Sequence, residues 1–149
     1  GRTALDGLPM GTRCGSIDAG AVIYMQRELG LRTDALEQLL YNESGLKGLS
    51  GISNDVKTLS ESSDDRARFA LDYFVWKCTQ HIAAMTATLG GMDALVFTGG
   101  IGENDPDIRT RIIEGLAFLA PFETLVIPAN EERSMAGSIH EIFCKEHRA

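Results

Sequence analysis

Apolar residues recur at helical spacing along most of the chain, and the longest such pattern predicts a single long helix. Between about Asp64 and Leu89, apolar positions follow one another at intervals of three or four residues, which places them on one helical face. These positions are Ala67, Leu71, Phe74, Cys78, Ile82, Met85 and Leu89. Gly90 and Gly91 end the pattern, as glycine ends many helices. We expect this face to pack on the core of the domain or on a second subunit, and the pattern does not distinguish the two.

Two shorter helices are predicted before the long one, and a glycine separates them. Asp18 can accept a hydrogen bond at the start of the first helix, which ends at Gly30. Thr33 or Asp34 can cap the second helix. The apolar face of that second helix contains Leu36, Leu39 and Leu40. Segment 44–53 has glycine at every third position, so we expect a constrained loop there.

Two short apolar segments farther along the chain predict strands. Residues 93–98 are flanked by glycine and indicate a buried strand, and residues 123–128 indicate a second strand. Between them, Asp105 followed by Pro106 is typical of a helix start. Asn130 can cap a final helix. The order of helix, strand, glycine turn, helix, strand and helix predicts an α/β fold.

Composition narrows the classes of partner. The chain has 149 residues and a formal net charge of −7, which argues against nucleic-acid binding and against anionic membranes. No apolar run approaches the roughly 20 residues that span a bilayer, and the first residues lack the apolar region of a signal peptide. Cys14, Cys78 and Cys144 lie far apart, so we expect reduced thiols in a cytoplasmic protein. The absence of a first Met indicates a fragment or a processed chain.

A glycine-rich turn follows the first predicted strand in the sequence VFTGGIGEN. It does not match the dinucleotide pattern G-x-G-x-x-G, because Asp105 stands where the last glycine would be, and the chain has no Gly-Lys-Ser/Thr. The turn could simply join a strand tightly to a helix. It could instead offer backbone N–H groups and a positive helix end to an anion or a nucleotide, with Glu103 and Asn104 binding neutral parts of the ligand. Spacing alone leaves both interpretations open.

Four motifs, taken in order, resemble the acetokinase (acetate kinase) family. They are GLPMGTRCGSID, SGLKGLSGISND, VFTGGIGEN followed by DIRTRIIEGL, and VIPANEE. The resemblance covers nearly the whole chain but only the C-terminal half of the family's full length. It implies that residues 1–149 form an α/β domain similar to the actin, sugar kinase and chaperone ATPase architecture. It also implies a homodimer that uses Mg²⁺ to transfer the γ-phosphate of ATP reversibly to a short carboxylate, acetate or propionate, giving an acyl phosphate and ADP.

The resemblance assigns roles to individual residues. Arg13 matches a catalytic arginine that stabilises charge on the transferred phosphoryl group, although outside this motif a salt-bridged surface arginine would be the simpler interpretation. The turn at 99–104 would face the adenosine side of ATP. The matching nucleotide-binding residues are Asp55, Val56, Lys57, Gly100, Ile101, Gly102, Glu103 and Asn104.

The resemblance places Glu131 near Mg²⁺, which usually takes one or two protein carboxylates together with phosphate oxygens. A glutamate in the first turn of a helix is also favourable without a metal. His140, Cys144 and His147 would share a face of the predicted last helix, but one helix face rarely supplies a tetrahedral zinc site. We expect His81 to be a packed or surface residue of the long helix.

The chain departs from the family pattern at several points. Lys57 stands where the family usually has arginine, so the charge is kept but the planar stacking group is lost. Ala4 replaces a proline of the acyl pocket, which would let propionate compete with acetate. Only residues 120–124 lead to the final strand, where the family has a longer segment, and this shortening would remove an edge of the domain.

The resemblance places the family's other catalytic residues in the N-terminal half. We therefore expect the isolated chain to be inactive. The alternative is a non-catalytic fragment that binds nucleotide or mediates dimerisation.

Overall fold

The computed structural model describes residues 2–130, which form an α/β unit and confirm the predicted fold class. Its helices are α1 (Ala19–Arg27), α2 (Thr33–Asn42), α3 (Gly45–Ser50), α4 (Val56–Ser60), α5 (Asp65–Leu89), α6 (Gly99–Asn104) and α7 (Pro106–Gly115). The strands are β1 (Ala94–Phe97) and β2 (Glu123–Val126), and a 3₁₀ turn at Ala117–Leu119 precedes β2. Within the described residues, no helix combines the length and the apolar character needed to cross a membrane.

The predicted long helix is confirmed as α5, a helix of 25 residues. At its start the Asp64 carboxylate accepts a hydrogen bond from the Arg66 N–H at 2.8 Å. Hydrogen bonds from the guanidinium and the N–H of Arg66 lower the pKa of Asp64 to about 2. At its end Gly90 takes a left-handed conformation with φ of 79°, which places the helix end where the sequence predicts it.

The apolar face of α5 divides into a buried half and an exposed half. The buried positions are Ala67, Ala70, Leu71, Phe74, Val75 and Cys78. Towards the C-terminal end, Met85 is 57% exposed and Leu89 is 79% exposed. The face therefore packs on the core along its N-terminal half and at Ile82, whereas Met85 and Leu89 lie at the surface.

The core lies where α3, α4 and α7 pack against α5. The most deeply buried large side chains are Leu46 of α3, Leu59 of α4, Ile108 of α7 and Leu116 after α7. Burying one such side chain stabilises a fold by about 1.5–3 kcal/mol. Phe97 at the end of β1 joins the same cluster, so the core fixes the position at which the glycine turn begins.

The two strands are parallel, with Ala94 opposite Glu123 and Phe97 opposite Val126. The crossover between them passes through α6 and α7. The prediction of a buried first strand is wrong except at its end, because Phe97 is buried whereas Val96 is 46% exposed. In the described part of the chain, the face of β1 that carries Leu95 and Phe97 packs against the helical core, whereas Val96 on the other face remains at the surface. Within residues 2–130 the sheet has two strands, and the outer edge of each is unpaired.

The predicted start of α1 is confirmed and that of α2 is corrected. The Asp18 carboxylate accepts the N–H of Gly20 at 3.0 Å. Helix α2 already includes Thr33, and its flanking residue is Arg32, which makes no capping hydrogen bond through its side chain. The expected caps, Thr33 and Asp34, therefore lie inside the first turn.

The prediction of a constrained loop at 44–53 is wrong for its first part, because residues 45–50 form α3. Each glycine lowers helix stability by about 1 kcal/mol relative to alanine. Leu46 and Ser50 are nonetheless buried, and α3 packs along α5. Tertiary packing thus outweighs the weak local preference of this sequence for a helix.

Candidate functional site

An open cavity of about 650 Å³ separates the start of α4 from the turn after β1. Its volume falls within the range of small-molecule sites. One part of the wall consists of Asp55, Val56, Lys57, Ser60 and Glu61, and the other consists of Gly100, Ile101, Asn104, Asp105 and Pro106. Six of the eight residues assigned to nucleotide binding therefore line one cavity, although they come from two distant segments of the chain.

Helix α4 fixes the first segment. The Asp55 carboxylate caps this helix by accepting the N–H and the hydroxyl of Thr58, both at 2.9 Å. Those two hydrogen bonds lower the pKa of Asp55, because they stabilise the charged form of its carboxylate. Val56 is 6% exposed and belongs to the core, whereas Lys57 is exposed. Lys57 is therefore the member of this segment whose side chain is free to reach a ligand.

The predicted glycine-rich turn after β1 takes the form of a short helix, α6. Gly99 begins it with φ of 74°, a left-handed conformation that only glycine adopts without strain. A Cβ atom placed on Gly100 would meet no other atom within 4 Å, so this residue leaves open space at the cavity wall. The Asn104 amide donates to the Gly100 carbonyl at 2.8 Å, which leaves its own oxygen available to the cavity.

Two predicted nucleotide-binding residues, Gly102 and Glu103, do not line this cavity. Gly102 lies against the backbone of Phe97, where an added Cβ would be 3.4 Å from the Phe97 carbonyl carbon. Glu103 is half-buried, and one oxygen of its carboxylate accepts backbone N–H groups of Gly99 and Ala129. The Glu103 carboxylate thus hydrogen-bonds to the protein backbone.

Helix α7 packs beside the α6 turn. The predicted start at Asp105 and Pro106 is confirmed, because the Asp105 carboxylate accepts the Ile108 N–H at 2.9 Å. From the same helix, Arg109 donates to the carbonyls of Gly102 and Glu103, each at 2.9 Å. These bonds pair carbonyl groups at the end of α6 that the helix itself leaves without partners.

The charge of the cavity wall is mostly negative. Among the described residues, Asp55, Glu61 and Asp105 line it together with a single cation, Lys57. Negative charge close to a triphosphate is unfavourable unless a cation intervenes. The wall is therefore better suited to a neutral part of a ligand, such as a base or a sugar, than to phosphate groups.

Arg13 lies on a neighbouring turn, closed by the Met10 N–H donating to the Arg13 carbonyl at 3.1 Å. Its side chain is half-buried and forms no ion pair within residues 2–130. The start of α3 holds the turn through three backbone hydrogen bonds. They join Leu46 to Met10 at 3.0 Å, Lys47 to Gly11 at 2.9 Å and Ser44 to Thr12 at 2.9 Å.

The Arg13 turn also contacts the residue that precedes the α4 segment. A Cβ atom on Gly11 would lie 2.8 Å from the Asn54 carbonyl oxygen, so only glycine allows this approach. Arg13 is not part of the cavity wall itself. The turn that carries it is nevertheless packed against the chain immediately before Asp55.

The family model described as the acetokinase family matches residues 1–136 of the sequence. The chain belongs to the acetokinase family. It is 49% identical over 139 residues to the acetate kinase of Rhodopseudomonas palustris (strain TIE-1), covering 93% of this chain and 34% of that protein. The chain thus spans about a third of the length of the curated relatives it matches.

Solved structures confirm the acetokinase fold. The acetate kinase of Porphyromonas gingivalis superposes with a TM-score of 0.88 at 28% identity, covering 95% of this chain and 42% of that one. A propionate kinase from Francisella tularensis superposes with a TM-score of 0.81 at 35% identity, covering 86% and 39%. The relationship inferred from the four motifs is therefore confirmed.

The proposed metal ligand of this acetokinase chain, Glu131, lies outside the described residues, as do the predicted last helix and the candidate zinc residues His140, Cys144 and His147. Within residues 2–130, no cluster of three or more His, Cys, Asp or Glu side chains is arranged to hold a metal ion. His81 is half-buried on α5, with a ring nitrogen 3.0 Å from the Lys77 carbonyl oxygen. This placement agrees with the structural role expected for it.

Sequence reasoning did not assign several residues of the site. Ser60, Glu61, Asp105 and Pro106 line the cavity, and Arg109 supports the turn. Asp105 and Pro106 were recognisable only as a helix start, and their proximity to the glycine turn was the available signal. Arg109 carried no local signal, because its partners are carbonyl groups that a sequence does not display.

Proposed function

We propose that this acetokinase chain forms the nucleotide side of a cytoplasmic, homodimeric carboxylate kinase that transfers the γ-phosphate of ATP reversibly to acetate or propionate. The observation that carries the proposal is the meeting of the Asp55–Lys57 segment and the α6 turn at one cavity. Relatives named acetate kinase and propionate kinase support a short carboxylate as the acceptor.

The cavity would hold the adenosine part of ATP or ADP. Gly100 leaves room for a flat group to approach the backbone, and the oxygen of Asn104 can accept a hydrogen bond from it. The acidic wall disfavours phosphate there, so the phosphate groups would extend away from Asp55 and Asp105.

Arg13 would supply positive charge to the transferred phosphoryl group. Its lack of an ion pair within residues 2–130 supports this role, because the guanidinium is not already neutralised there by a carboxylate. Mg²⁺ bound to the phosphates would neutralise further charge, and Glu131 would contribute one carboxylate ligand.

The chain covers about a third of its curated relatives, so we expect the isolated chain to bind nucleotide without turning over. The second candidate is a non-catalytic fragment that binds nucleotide or mediates dimerisation. The brief connection into β2, residues 120–122, favours this alternative, because it leaves little chain beside the sheet.

Calorimetric titration of the isolated chain with ADP tests the nucleotide site. We expect saturable binding that Gly100→Val weakens by at least about tenfold, because an isopropyl group would occupy space that the cavity leaves open. Ala84→Val, which adds similar bulk to an exposed position of α5, serves as the matched control and should bind ADP like the wild type.

Three measurements test the two candidates: ADP binding, hydroxamate formation by the isolated chain, and turnover after complementation. No ADP binding by the wild-type chain would contradict the nucleotide site. Binding without formation of acyl phosphate, measured as the hydroxamate, is expected for both candidates. Turnover that appears when the N-terminal two thirds of the Rhodopseudomonas palustris acetate kinase is added would support the kinase, whereas a well-folded mixture without turnover would favour the non-catalytic fragment.

A further inference from the structure

We propose that Glu103 is a positioning residue that ties the α6 turn to the chain after β2, and that it does not itself bind the nucleotide. The inference rests on the proposed nucleotide site and refines it. It reassigns a residue of the GGIGEN motif from ligand contact to internal support.

The geometry of the carboxylate carries the inference. One oxygen, Oε1, accepts the Gly99 N–H at 2.7 Å and the Ala129 N–H at 2.8 Å. Both distances are at the short end for N–H···O bonds, as expected when the acceptor is charged. Glu103 is half-buried and does not line the cavity. The Glu103 carboxylate is therefore occupied by hydrogen bonds from two backbone N–H groups that lie far apart in sequence.

These two donors matter because of what lies next to each. Gly99 is the left-handed residue at which the chain turns from β1 into α6, and Gly100 at the cavity wall follows it directly. Ala129 follows β2 and precedes the proposed Mg²⁺ ligand Glu131 by two positions in the sequence. A single carboxylate thus joins the turn that faces the nucleotide to the segment that leads to the metal ligand.

Neighbouring hydrogen bonds hold the segments that Glu103 links in fixed positions. The Ile127 N–H donates to the Phe97 carbonyl at 2.9 Å, so the parallel pairing continues just past β2. The Arg109 guanidinium donates a hydrogen bond to the backbone carbonyl of Glu103 at 2.9 Å. The Glu103 backbone is therefore fixed by α7 while its side chain spans the gap between the two segments.

The test compares Glu103→Ala with Glu103→Gln. The amide oxygen of glutamine can accept the same two N–H groups, whereas alanine can accept neither. We expect Glu103→Ala to weaken ADP binding about tenfold, the scale of one hydrogen bond to a charged group, and to speed amide exchange at Gly99 and Ala129 by at least as much. Glu103→Gln should remain within about threefold of the wild type in both measurements. Glu114→Ala, at an exposed position of α7, is the matched control and should change neither.

Each other outcome overturns a defined part of the proposal. Equal losses of ADP affinity in Glu103→Gln and Glu103→Ala, with both amides still protected in the glutamine variant, would mean that the negative charge itself contacts the ligand or its metal. If Glu103→Ala changed neither ADP affinity nor amide exchange, Glu103 would not link the α6 turn to the chain after β2. If the wild-type chain binds no ADP, the proposed nucleotide site fails. Amide exchange at Gly99 and Ala129 is then the measurement that tests whether Glu103 links the two segments.

Discussion

A Cβ atom added to Gly45 would stand 2.1 Å from the carbonyl oxygen of Met10. No side chain fits at that distance, and Gly45 also has φ of 60°. The backbone of Gly45 is therefore in direct contact with the turn that presents Arg13, whose carbonyl oxygen would lie 2.7 Å from the same atom. The glycine that opens α3 fixes the distance between this helix and the proposed catalytic arginine.

Gly45→Ala should destabilise the chain by more than the strain of a left-handed alanine. Gly30→Ala is the matched control, because Gly30 has φ of 65° and a Cβ there would meet no atom within 4 Å. We expect the control to lose about 1–2 kcal/mol of unfolding free energy. Gly45→Ala should lose at least about 2 kcal/mol more, because the turn must move. Urea unfolding measures both, and equal losses would show that the contact with Met10 is not close in solution.

Arg13→Ala should abolish most of the turnover of the reconstituted kinase. The assay combines this chain with the N-terminal two thirds of the Rhodopseudomonas palustris acetate kinase and measures hydroxamate formation. We expect a loss of at least about 100-fold in kcat, since removing one electrostatic stabiliser has effects of this size. Arg13→Lys should retain part of the activity because it keeps the charge. Arg27→Ala, at an exposed position of α1, is the control, and near-normal kcat in Arg13→Ala would remove Arg13 from the chemistry.

The thiol of Cys78 should resist reaction with thiol reagents until the chain unfolds. Burial disfavours the thiolate and raises the pKa of Cys78 to about 11. Because the folded pKa lies above that of the unfolded thiol, the stability linked to this group is complete below the unfolded pKa and is lost as pH rises through about 11.

The reagent DTNB, used at about pH 8 in a Cys144→Ser background, tests the exposure of the two remaining thiols. Cys14 is half-buried, and burial raises its pKa as well, so it should react slowly but before Cys78. Both thiols should react rapidly in denaturant. Rapid labelling of Cys78 in the folded chain would mean that the core around α5 opens readily.

The face of α5 that carries Trp76 should form the contact in the proposed dimer. Trp76 is 52% exposed, Phe69 is 57% exposed, and the ring of Tyr73 lies 5.8 Å from that of Trp76. Exposed aromatic side chains grouped in this way are typical of protein interfaces. Trp76 is the only tryptophan in the chain, so its fluorescence reports on this face directly.

We expect the emission of Trp76 to shift to shorter wavelength as protein concentration rises, together with a doubling of mass by light scattering. Phe69→Glu should keep the chain monomeric, whereas Tyr24→Glu, at an exposed position of α1, should not. Emission and mass that do not change with concentration would place the subunit contact elsewhere.

The elements that the sequence predicts correctly are those specified by local chemistry. Helix α5 follows from a repeat of three and four residues, and the predicted caps Asp18 and Asp105 each act on an N–H two or three positions away. Helix α3 could not be predicted in the same way, because the packing of Leu46 on α5 outweighs its glycines. The half-exposed β1 was missed because an apolar strand sequence does not reveal how many of its faces are covered.

The site shows the same division between local and long-range information. Family motifs assigned Asp55–Lys57 and Gly100–Asn104 to the nucleotide, but neither sequence shows which members line the cavity and which, like Gly102 and Glu103, do not. The inward direction of Glu103 was equally hidden, because its partner Ala129 lies 26 residues along the chain. Such pairings depend on the crossover between the two strands, which only the folded structure displays.

Within residues 2–130, the outer edges of β1 and β2 are unpaired, and this bears on how the chain behaves when it is produced alone. Backbone groups along a free strand edge hydrogen-bond to any extended segment that reaches them, including the same edge of another molecule. Val96, Leu125 and Val126 add half-exposed apolar surface beside those groups. Aggregation would therefore compete with correct association during expression. Co-expression with a companion that supplies the neighbouring strand should give more usable protein than refolding the chain by itself.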